Sequence, residues 1–404
     1  MDKPRIALLT RPVDENLSSG SGQHWYEIVK TLLRLNREFS FTLAHYRESD
    51  NHIYQDVIGQ GGEELILPRN PVSASRVLER RGFDVIHYYL PTFFSPIYGV
   101  RARKVVTIHG AEPVLLPRYY REMHVLHDRY VVPAVIRAMD HIACVSKTTE
   151  AYARKHYPLR HTQRLSTIYN GVDPLFRPLG PGPHQANREH KTGTHYFFHL
   201  SKYSLRKNPW TILGAFARFV QRRGAAGDPR EWRLAIGGSG WDNFRVRGFL
   251  KRTGMEDRIR LLGFVEREEL PELYSGAHAF IFPSLCEGFG MPNVEAMACG
   301  CPVITSDSFA IPEIVGDAAR IISPAQNAAS LVEEMNRLVT EPEERILMVR
   351  RSVEMASRYR WEESAEKLLR VYRELSEQHR RQRRVRVGPW IRDLPTRQPR
   401  AVGE

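Results

Sequence analysis

Short apolar runs alternate with longer amphipathic stretches along the first half of the chain. Short runs rich in apolar and β-branched side chains predict buried strands, whereas apolar residues at intervals of three and four predict a helix. The helical spacing occurs in residues 25–35. The predicted strands of this half are residues 5–10, 39–45, 84–87, 105–109 and 141–146. Strands that alternate with helices are typical of a doubly wound parallel sheet.

The alternation stops and then returns in the second half. Residues 179–194 are rich in Pro, Gly, His and Lys and have no periodicity, so we expect an interdomain linker there. The predicted strands that follow are residues 195–200, 233–236, 258–262, 279–283 and 302–305. A chain of 404 residues is long enough for two domains with separate cores. The pattern therefore predicts an α/β protein with two doubly wound parallel-sheet domains.

Two carboxylates flank a Gly-x-Gly turn after one of these strands. Glu287 and Glu295 lie on either side of Gly288 and Gly290, and Pro292 follows the turn. The glycines let the backbone approach a ligand, and proline suits the first position of a helix. Glu295 is then expected near the start of that helix, where free N–H groups and the helix dipole attract phosphate. We expect this site at the carboxyl edge of a parallel sheet, where open α/β sheets bind ligands.

The segment contains Glu-Gly-Phe-Gly-Met-Pro, Glu-Ala-Met-Ala-Cys-Gly and Pro-Val-Ile in that order. It resembles the Glu-x7-Glu signature of the retaining GT-B glycosyltransferases, in particular family 4 (glycosyl transferases group 1). The resemblance implies a GT-B fold, in which two Rossmann-like domains face a central cleft. It also implies that Glu295 binds the ribose of a nucleotide-sugar donor, and that Glu287 lies against its sugar and phosphate. Gly288, Phe289 and Gly290 are implied to contact the donor. The alternative is an ordinary strand-turn-helix crossover with solvated acids.

Two basic residues follow the first predicted strand of the second half. Residues 201–208 are Ser-Lys-Tyr-Ser-Leu-Arg-Lys-Asn, and the family commonly has an arginine and a lysine here that hold the donor pyrophosphate. Lys207 matches the lysine, and Lys202 stands where the arginine usually lies. A lysine at that place keeps the charge but loses the bidentate geometry. The resemblance implies that both bind the donor and that Lys207 also supports the reaction. The alternative is a pair of surface charges at a helix entry.

Two features of the first half complete the predicted site. His109 ends a predicted strand and precedes a glycine, which places it at the ligand edge of the first sheet. By resemblance it contacts the transferred sugar from the acceptor side, and the alternative is a structural histidine. Residues 18–22 resemble the family's first Gly-rich loop, which lies between the donor phosphate and the acceptor. Gly20 and Gly22 are therefore further candidates for donor binding.

The resemblance runs from about residue 6 to about residue 375. Residues 262–271 resemble the family segment near the donor base, and residues 361–372 resemble its final helix, which crosses back onto the first domain. The predicted division has four parts. They are an acceptor-side domain (1–180), a nucleotide-sugar domain (181–358), a crossing helix (359–377) and a basic flexible tail (378–404).

Composition excludes several classes of protein. Hydrophobic residues make up 42% and charged residues 26% of the chain, as in a soluble globular protein. Four cysteines in 404 residues give no disulfide framework, and we expect buried thiols in a reducing cytosol. The cysteines at 299 and 301 lack a second pair or nearby histidine, so no metal site is predicted. The chain begins with a predicted strand and no signal peptide, and no apolar stretch approaches a membrane span.

The net charge of +13 is concentrated partly at the C-terminus. Residues 378–404 contain eight arginines against one Asp and one Glu, together with several Gln and Pro. We expect this tail to be flexible. It either contacts an anionic membrane that carries a lipid-linked acceptor or only solubilises the chain. No nucleic-acid-binding module is present, so no nucleic acid partner is expected. The predicted location is the cytoplasm, with peripheral contact at the inner face of the membrane as an option.

The resemblance implies transfer of a hexose from a nucleotide diphosphate sugar with retention at the anomeric carbon. Mannose and glucose are the sugars considered, and the acceptor is a glycan, a lipid-linked sugar or a small molecule. The chain has no Asp-x-Asp signature, so we expect neither a metal nor a cofactor beyond the donor substrate. A sugar-nucleotide epimerase and a glycoside phosphorylase are alternatives on the same fold. A non-enzymatic nucleotide-sugar or RNA binder is a further alternative.

Overall fold

A computed structural model of the protein describes residues 2–15, 19–90, 92–180 and 195–386. Two separate parallel sheets with helices around them form its core. The predicted α/β architecture with two domains is therefore confirmed. Most of the linker predicted at residues 179–194 lies outside the described residues, as does Ser18 of the predicted Gly-rich loop.

The first sheet has seven strands. They are β1 (Arg5–Leu9), β2 (Ser40–His45), β3 (Glu63–Ile66), β4 (Val85–Tyr88), β5 (Arg103–Ile108), β6 (His141–Cys144) and β7 (Arg164–Thr167). Their order is β3-β2-β1-β4-β5-β6-β7, and every neighbouring pair is parallel. The strand order reverses between β1 and β4, so a crevice opens there at the carboxyl edge of the sheet.

The helices of this domain follow the strands in alternation. They are α1 (Arg11–Glu15), α2 (Gly20–Leu35), α3 (His52–Gly59), α4 (Pro71–Arg81), α5 (Glu112–Leu115), α6 (Glu122–Leu126), α7 (Val132–Arg137) and α8 (Lys147–His156). Asn70 shows why α4 begins where it does, because its side-chain oxygen accepts hydrogen bonds from the N–H groups of Val72 and Ser73. Gly82 ends α4 with φ at 66°, in the left-handed region that glycine adopts readily.

The second sheet has six parallel strands. They are β8 (His195–Leu200), β9 (Trp232–Gly237), β10 (Ile259–Gly263), β11 (Ala279–Phe282), β12 (Val303–Ser306) and β13 (Arg320–Ile322), in the order β10-β9-β8-β11-β12-β13. The helices are α9 (Pro209–Ala225), α10 (Phe244–Thr253), α11 (Leu270–Gly276), α12 (Met291–Ala298), α13 (Ile311–Val315), α14 (Ala328–Thr340), α15 (Pro342–Ala356) and α16 (Trp361–Arg386).

Strand β11 illustrates why the central strands are apolar throughout. All four of its residues are buried. Phe280 and Phe282 pack into one hydrophobic cluster, and Ala279 and Ile281 pack into another on the opposite face. Helices cover both faces of a parallel sheet, so neither face of the strand can be polar. The strand ends at the cleft, where the motif with the two carboxylates begins.

The final helix, α16, leaves the second domain and packs against α2 of the first. Trp361, Leu368 and Tyr372 are buried in the same hydrophobic cluster as residues of β1 and α2. The Tyr372 hydroxyl lies 2.6 Å from Nδ1 of His87, whose Nε2 lies 2.9 Å from the Thr107 hydroxyl. His87 is therefore a structural residue that joins the crossing helix to the first sheet.

The beginning of the predicted flexible tail is helical. Helix α16 continues to Arg386, past the boundary expected at residue 377. His379 is 7% exposed, and the Arg380 guanidinium binds the Asp84 carboxylate at 3.1 and 3.2 Å. These contacts hold the turn that contains residues 379 and 380 on the first domain, and Arg, Gln and Glu are good helix formers. Among the described residues, no helix has the length and apolarity that crossing a bilayer requires.

Candidate active site

The two domains touch at Gly288, in the turn between β11 and α12. A Cβ atom built on Gly288 would lie 1.6 Å from the carbonyl oxygen of His109. His109 directly follows β5 of the first sheet. The carboxyl ends of β5 and β11 therefore meet at this contact, and the residues that follow each strand form one candidate site.

Glu287 is buried beside Gly288 and is surrounded by hydrogen-bond donors. Arg206 Nη1 and Lys207 Nζ donate to its Oε1 at 2.7 and 2.6 Å, and Ser284 Oγ donates to the same atom at 2.5 Å. Burial by itself would raise the pKa of Glu287, but the two cations outweigh it and lower the pKa to about 2. Glu287 is therefore ionised at neutral pH.

Lys207 occupies the place that the sequence predicts, at the end of a 3-10 turn over Leu205–Lys207. Burial lowers the pKa of its ammonium, and Glu287 opposes that effect. Nζ lies 4.7 Å from the centroid of the Phe282 ring. An ammonium group has three N–H donors. Because the bond to Glu287 uses one of them, Lys207 retains donors for a second anion such as a phosphate.

The second cation of the cluster is Arg206, and the structure does not bring Lys202 into it. Lys202 is exposed. Arg206 Nη1 donates to the Cys286 carbonyl at 2.6 Å as well as to Glu287. The following Asn208 locks the turn, because its Nδ2 donates to the carbonyls of Pro283 and Ala325. Arg206 could have been identified from the sequence by its place next to Lys207 and two residues before the anchoring asparagine.

Glu295 lies in α12, with a different environment from Glu287. The Tyr274 hydroxyl donates to its Oε2 at 3.3 Å, and Arg267 Nη1 lies 3.9 Å from its Oε1. Burial raises the pKa of Glu295, and Arg267 and Tyr274 oppose that rise. The two acids are eight residues apart and differ in the number of cations near each carboxylate and in their distance from it. Glu287 is bound by two cations at close range, and Glu295 has one cation at a longer distance.

The turn between the two acids offers backbone rather than side chains to a ligand. Phe289 is 4% exposed and packs edge-on against Tyr359 at 5.3 Å between ring centroids. Gly290 has φ at 83°, which a residue with a side chain rarely adopts. It precedes α12, whose first turn has no capping side chain. Pro292 has no N–H and the Asn293 N–H donates to the Gly290 carbonyl at 3.0 Å, so the start of α12 offers few N–H groups to an anion.

His109 packs edge-on against His24, with 4.7 Å between ring centroids. Burial lowers the pKa of His109 to about 4, so the ring is neutral at neutral pH. Its Nε2 atom is buried and has no hydrogen-bond partner within the part of the chain that the structure describes. A buried ring nitrogen without a partner is costly. A purely structural histidine would leave Nε2 without a partner among the described residues, whereas a ligand hydroxyl would supply one.

The predicted Gly-rich loop is partly helical. Helix α2 begins at Gly20, earlier than the start expected near residue 25, and Gly22 lies in its first turn. Ser19 caps the helix by accepting a hydrogen bond from the Gly22 N–H at 3.0 Å. One turn later, His24 Nδ1 lies 2.7 Å from Oδ1 of Asn170. The capping serine explains why the helix starts early. Because the helix includes residue 24, the His24 ring lies against the ring of His109.

Glu112 is a residue of the site that sequence reasoning missed. It begins α5, three residues after His109. Burial raises the pKa of its carboxyl, Arg206 lowers it and Glu287 raises it. A Cβ atom on Gly288 would lie 3.1 Å from the Cα of Gly110, and one on Gly110 would lie 2.6 Å from Glu112 Oε2, so Glu112 of the first domain lies near the cluster in the second. The sequence gives no periodic or motif-based signal for this approach.

The cysteines contribute no metal centre to the site. All four are buried and free, as the sequence predicts. Across residues 2–15, 19–90, 92–180 and 195–386, no three or more His, Cys, Asp or Glu side chains are grouped so that they could hold a metal ion.

Two family models match the chain one after the other. The model described as Glycosyltransferase Family 4 matches residues 18–175. The model described as Glycosyl transferases group 1 matches residues 183–355. The first match covers the domain that contains His109, and the second covers the domain that contains both acids of the Glu-x7-Glu motif.

Curated relatives align over nearly the whole chain. O-antigen chain mannosyltransferase B of Escherichia coli is 25% identical over 399 residues, which cover 91% of this chain and 99% of the relative. Alpha-maltose-1-phosphate synthase of Mycolicibacterium smegmatis is 26% identical over 402 residues, which cover 92% of this chain and 100% of the relative.

Solved structures have the same two-domain architecture. Sucrose-phosphate synthase from Thermosynechococcus elongatus matches with a TM-score of 0.74 at 20% identity, over 92% of this chain and 99% of that one. HepE of Anabaena, solved with UDP and glucose, matches with a TM-score of 0.70 at 15% identity, over 92% and 99%. At these identities the likeness establishes the fold alone. With both family models matched in succession and this shared architecture, the chain belongs to the group 1, family 4 glycosyltransferases of the GT-B fold.

Proposed function

We propose that the chain transfers a hexose from a nucleotide diphosphate sugar to a sugar-containing acceptor, with retention at the anomeric carbon and without a metal ion. The observation that carries this proposal is the buried cluster of Glu287, Arg206 and Lys207. It lies beside His109, whose Nε2 has no partner among the described residues. Such a site combines cations for a leaving diphosphate with polar groups for a sugar.

The cations act on the leaving group. When the bond between sugar and diphosphate breaks, negative charge grows on the phosphate oxygen. Lys207 has donors left after its bond to Glu287, and the N–H groups of residues 288–290 are the further donors proposed for the diphosphate. Fixed donors of this kind stabilise charge without a metal, because they need no reorganisation during the reaction.

Glu287 and His109 hold the sugar. The three donors on Glu287 converge on Oε1, so Oε2 is the oxygen that accepts from a sugar hydroxyl. His109 approaches from the first domain with its free ring nitrogen. The acceptor oxygen attacks the anomeric carbon on the face from which the diphosphate leaves. The bond from that carbon to the phosphate oxygen breaks, and the acceptor's hydroxyl proton moves to the leaving oxygen.

The donor's ribose binds at Glu295, whose carboxylate can accept hydrogen bonds from vicinal hydroxyls. HepE of Anabaena was solved with UDP and glucose, and its fold matches this chain. A mannosyltransferase aligns over nearly the full length. These matches support a nucleotide-sugar donor and a glycan acceptor, and they favour mannose and glucose as the sugars to test first.

The experiment is a donor screen followed by product analysis. Thermal shift with UDP-glucose, GDP-mannose and ADP-glucose selects the donor, and nucleotide release is then measured with and without candidate acceptors. We expect release that depends on acceptor and survives EDTA, with retained configuration in the NMR spectrum of the product. Formation of an epimerised donor without acceptor would favour the epimerase. Formation of a sugar 1-phosphate from inorganic phosphate would favour the phosphorylase.

A further inference from the structure

One arginine lies among three carboxylates where the two domains and the segment between them meet. Arg267 follows β10, in a 3-10 turn over Arg267–Glu269. Its Nη2 donates to Asp173 Oδ2 at 3.2 Å and lies 3.6 Å from Glu27 Oε1, and its Nη1 lies 3.9 Å from Glu295 Oε1. We call Glu27, Asp173 and Glu295 the acid cluster.

The members of the acid cluster come from three separate parts of the chain. Glu27 is in α2 of the first domain, Asp173 lies between β7 and β8, and Glu295 is in α12 of the second domain. The Arg267 guanidinium also lies 5.0 Å from the Phe176 ring. A guanidinium is planar and has five donors, so a single arginine can bridge several carboxylates. Arg267 is therefore placed to join both domains to the segment that connects them.

The charges of the acid cluster are unequal. Glu27 is faced by three charged groups, which are Asp173, Arg267 and Lys30. The Lys30 Nζ lies 3.8 Å from Glu27 Oε2, and the Lys30 side chain is 55% exposed. Burial raises the pKa of Glu27 to about 7, with Asp173 adding to the rise. Burial acts in the same direction on Asp173, but the Leu175 N–H and Arg267 outweigh it and lower the pKa of Asp173. Without Arg267, three carboxylates would face each other with one exposed lysine nearby.

We propose that Arg267 is a positioning residue that ties Glu295, the acid assigned to the donor ribose, to the first domain and thereby couples donor binding to the geometry of the cleft. The ribose role of Glu295 rests on the proposed function. The ionic tie itself rests on the three distances. Arg267 contacts the carboxylate of Glu295 and is itself bound by Glu27 and Asp173. The first domain therefore controls the orientation of the acid that binds the donor.

The test compares four variants with the wild type. They are Arg267→Gln, Glu27→Gln, the double variant with both changes, and Arg260→Gln as the control. Arg260 is an exposed arginine of the neighbouring strand β10, so its replacement removes the same charge without touching the acid cluster. Calorimetry with UDP and with GDP measures nucleotide affinity, and steady-state kinetics with the selected donor separates the KM for donor from kcat.

Arg267→Gln should weaken nucleotide affinity and raise the donor KM by about tenfold, with kcat within about twofold of wild type. The loss should be larger at pH 8 than at pH 6, because the pKa of Glu27, about 7 beside Arg267, rises when the guanidinium is removed, so Glu27 stays protonated at pH 6 and gains charge only as the pH rises. In the double variant, removing the Glu27 charge should restore part of the affinity. A purely packing role for Arg267 on Phe176 predicts neither the pH dependence nor the restoration. Arg260→Gln should match the wild type.

Each outcome separates this proposal from the proposed function. If the wild type binds a nucleotide and Arg267→Gln binds it equally well, the coupling is wrong and the proposed function stands. If the double variant is as weak as Arg267→Gln at both pH values, Arg267 does not act through Glu27 and the proposal fails. If the wild type binds neither nucleotide and transfers no sugar, the proposed function fails. In that case, equal thermal stability of wild type and Arg267→Gln at pH 6 and pH 8 would also overturn the ionic tie.

Discussion

Gly288 of the second domain packs directly on the carbonyl oxygen of His109 in the first, at a distance that leaves no room for a side chain. The glycine is therefore required by close approach of two backbones, since its own φ is not in the left-handed region. This contact sets the separation between the histidine side of the site and the acidic side.

Replacing Gly288 by alanine should separate the two sides. A Cβ atom would lie 1.6 Å from the His109 oxygen, so the backbone must move. We expect a stability loss of roughly 1–3 kcal/mol and a much larger relative loss of transfer activity. Thermal unfolding and kinetics measure the two effects. Gly214→Ala in α9 is the control, because nothing lies within 4 Å of its Cβ position. Normal activity in Gly288→Ala would contradict the assignment of this contact to the site.

Lys207→Ala should weaken donor binding and slow transfer, whereas Lys202→Ala should do neither. Lys207 is buried against Glu287, and Lys202 is exposed. A charge-assisted contact of this kind is worth roughly 1.5–3 kcal/mol, or about 10- to 160-fold in kcat/KM. Kinetics on both folded variants check the difference. Equal losses in the two variants would indicate that Lys202 binds the donor as well. No loss in either would contradict donor binding by Lys207.

The two glutamates should have different kinetic signatures. Glu287→Gln should mainly lower kcat, because the proposed role of Glu287 is to hold the reacting sugar, and Glu295→Gln should mainly raise the donor KM, because its proposed role is to bind the ribose. The folded pKa of Glu287, about 2, is depressed. Its ion pairs therefore contribute stability that is fully present above the unfolded pKa and is lost as the pH falls from there through about 2. Rate profiles of the wild type should show no titration of Glu287 between pH 5 and pH 8. Matching signatures for the two variants would contradict the division of roles.

The C-terminal truncation should be placed after Arg386. A chain that ends at Glu377 loses buried His379 and the bond from Arg380 to Asp84, so we expect it to unfold at lower temperature. A chain that ends at Arg386 should keep stability and activity on a soluble acceptor. It should also bind vesicles rich in phosphatidylglycerol more weakly at low salt, because it lacks three of the eight arginines of the tail. Equal sedimentation of this chain and the full-length protein would contradict membrane contact through residues 387–404.

Local pattern was sufficient for much of this protein. The strands at the centres of both sheets are continuous apolar runs, because helices bury both of their faces. The spacing of Glu287 and Glu295 around a Gly-x-Gly turn is a local property of strand, turn and helix, and the structure has that order. The apolar pattern does not predict strands β3, β7 and β13. They lie at the edges of the sheets, where polar residues such as Glu63 and Arg164 are tolerated.

Tertiary structure decided which distant side chains meet. Arg206 joins Glu287 because a 3-10 turn anchored by Asn208 directs it there, although the family resemblance favours Lys202 as the second cation. Glu112 approaches Glu287, and Glu27 approaches Arg267, only because the domains close on each other. Sequence periodicity reports which face of an element is buried, since that depends on near neighbours along the chain. The contacts across the cleft depend on how two separately folded sheets are set against each other, and no local pattern encodes that arrangement.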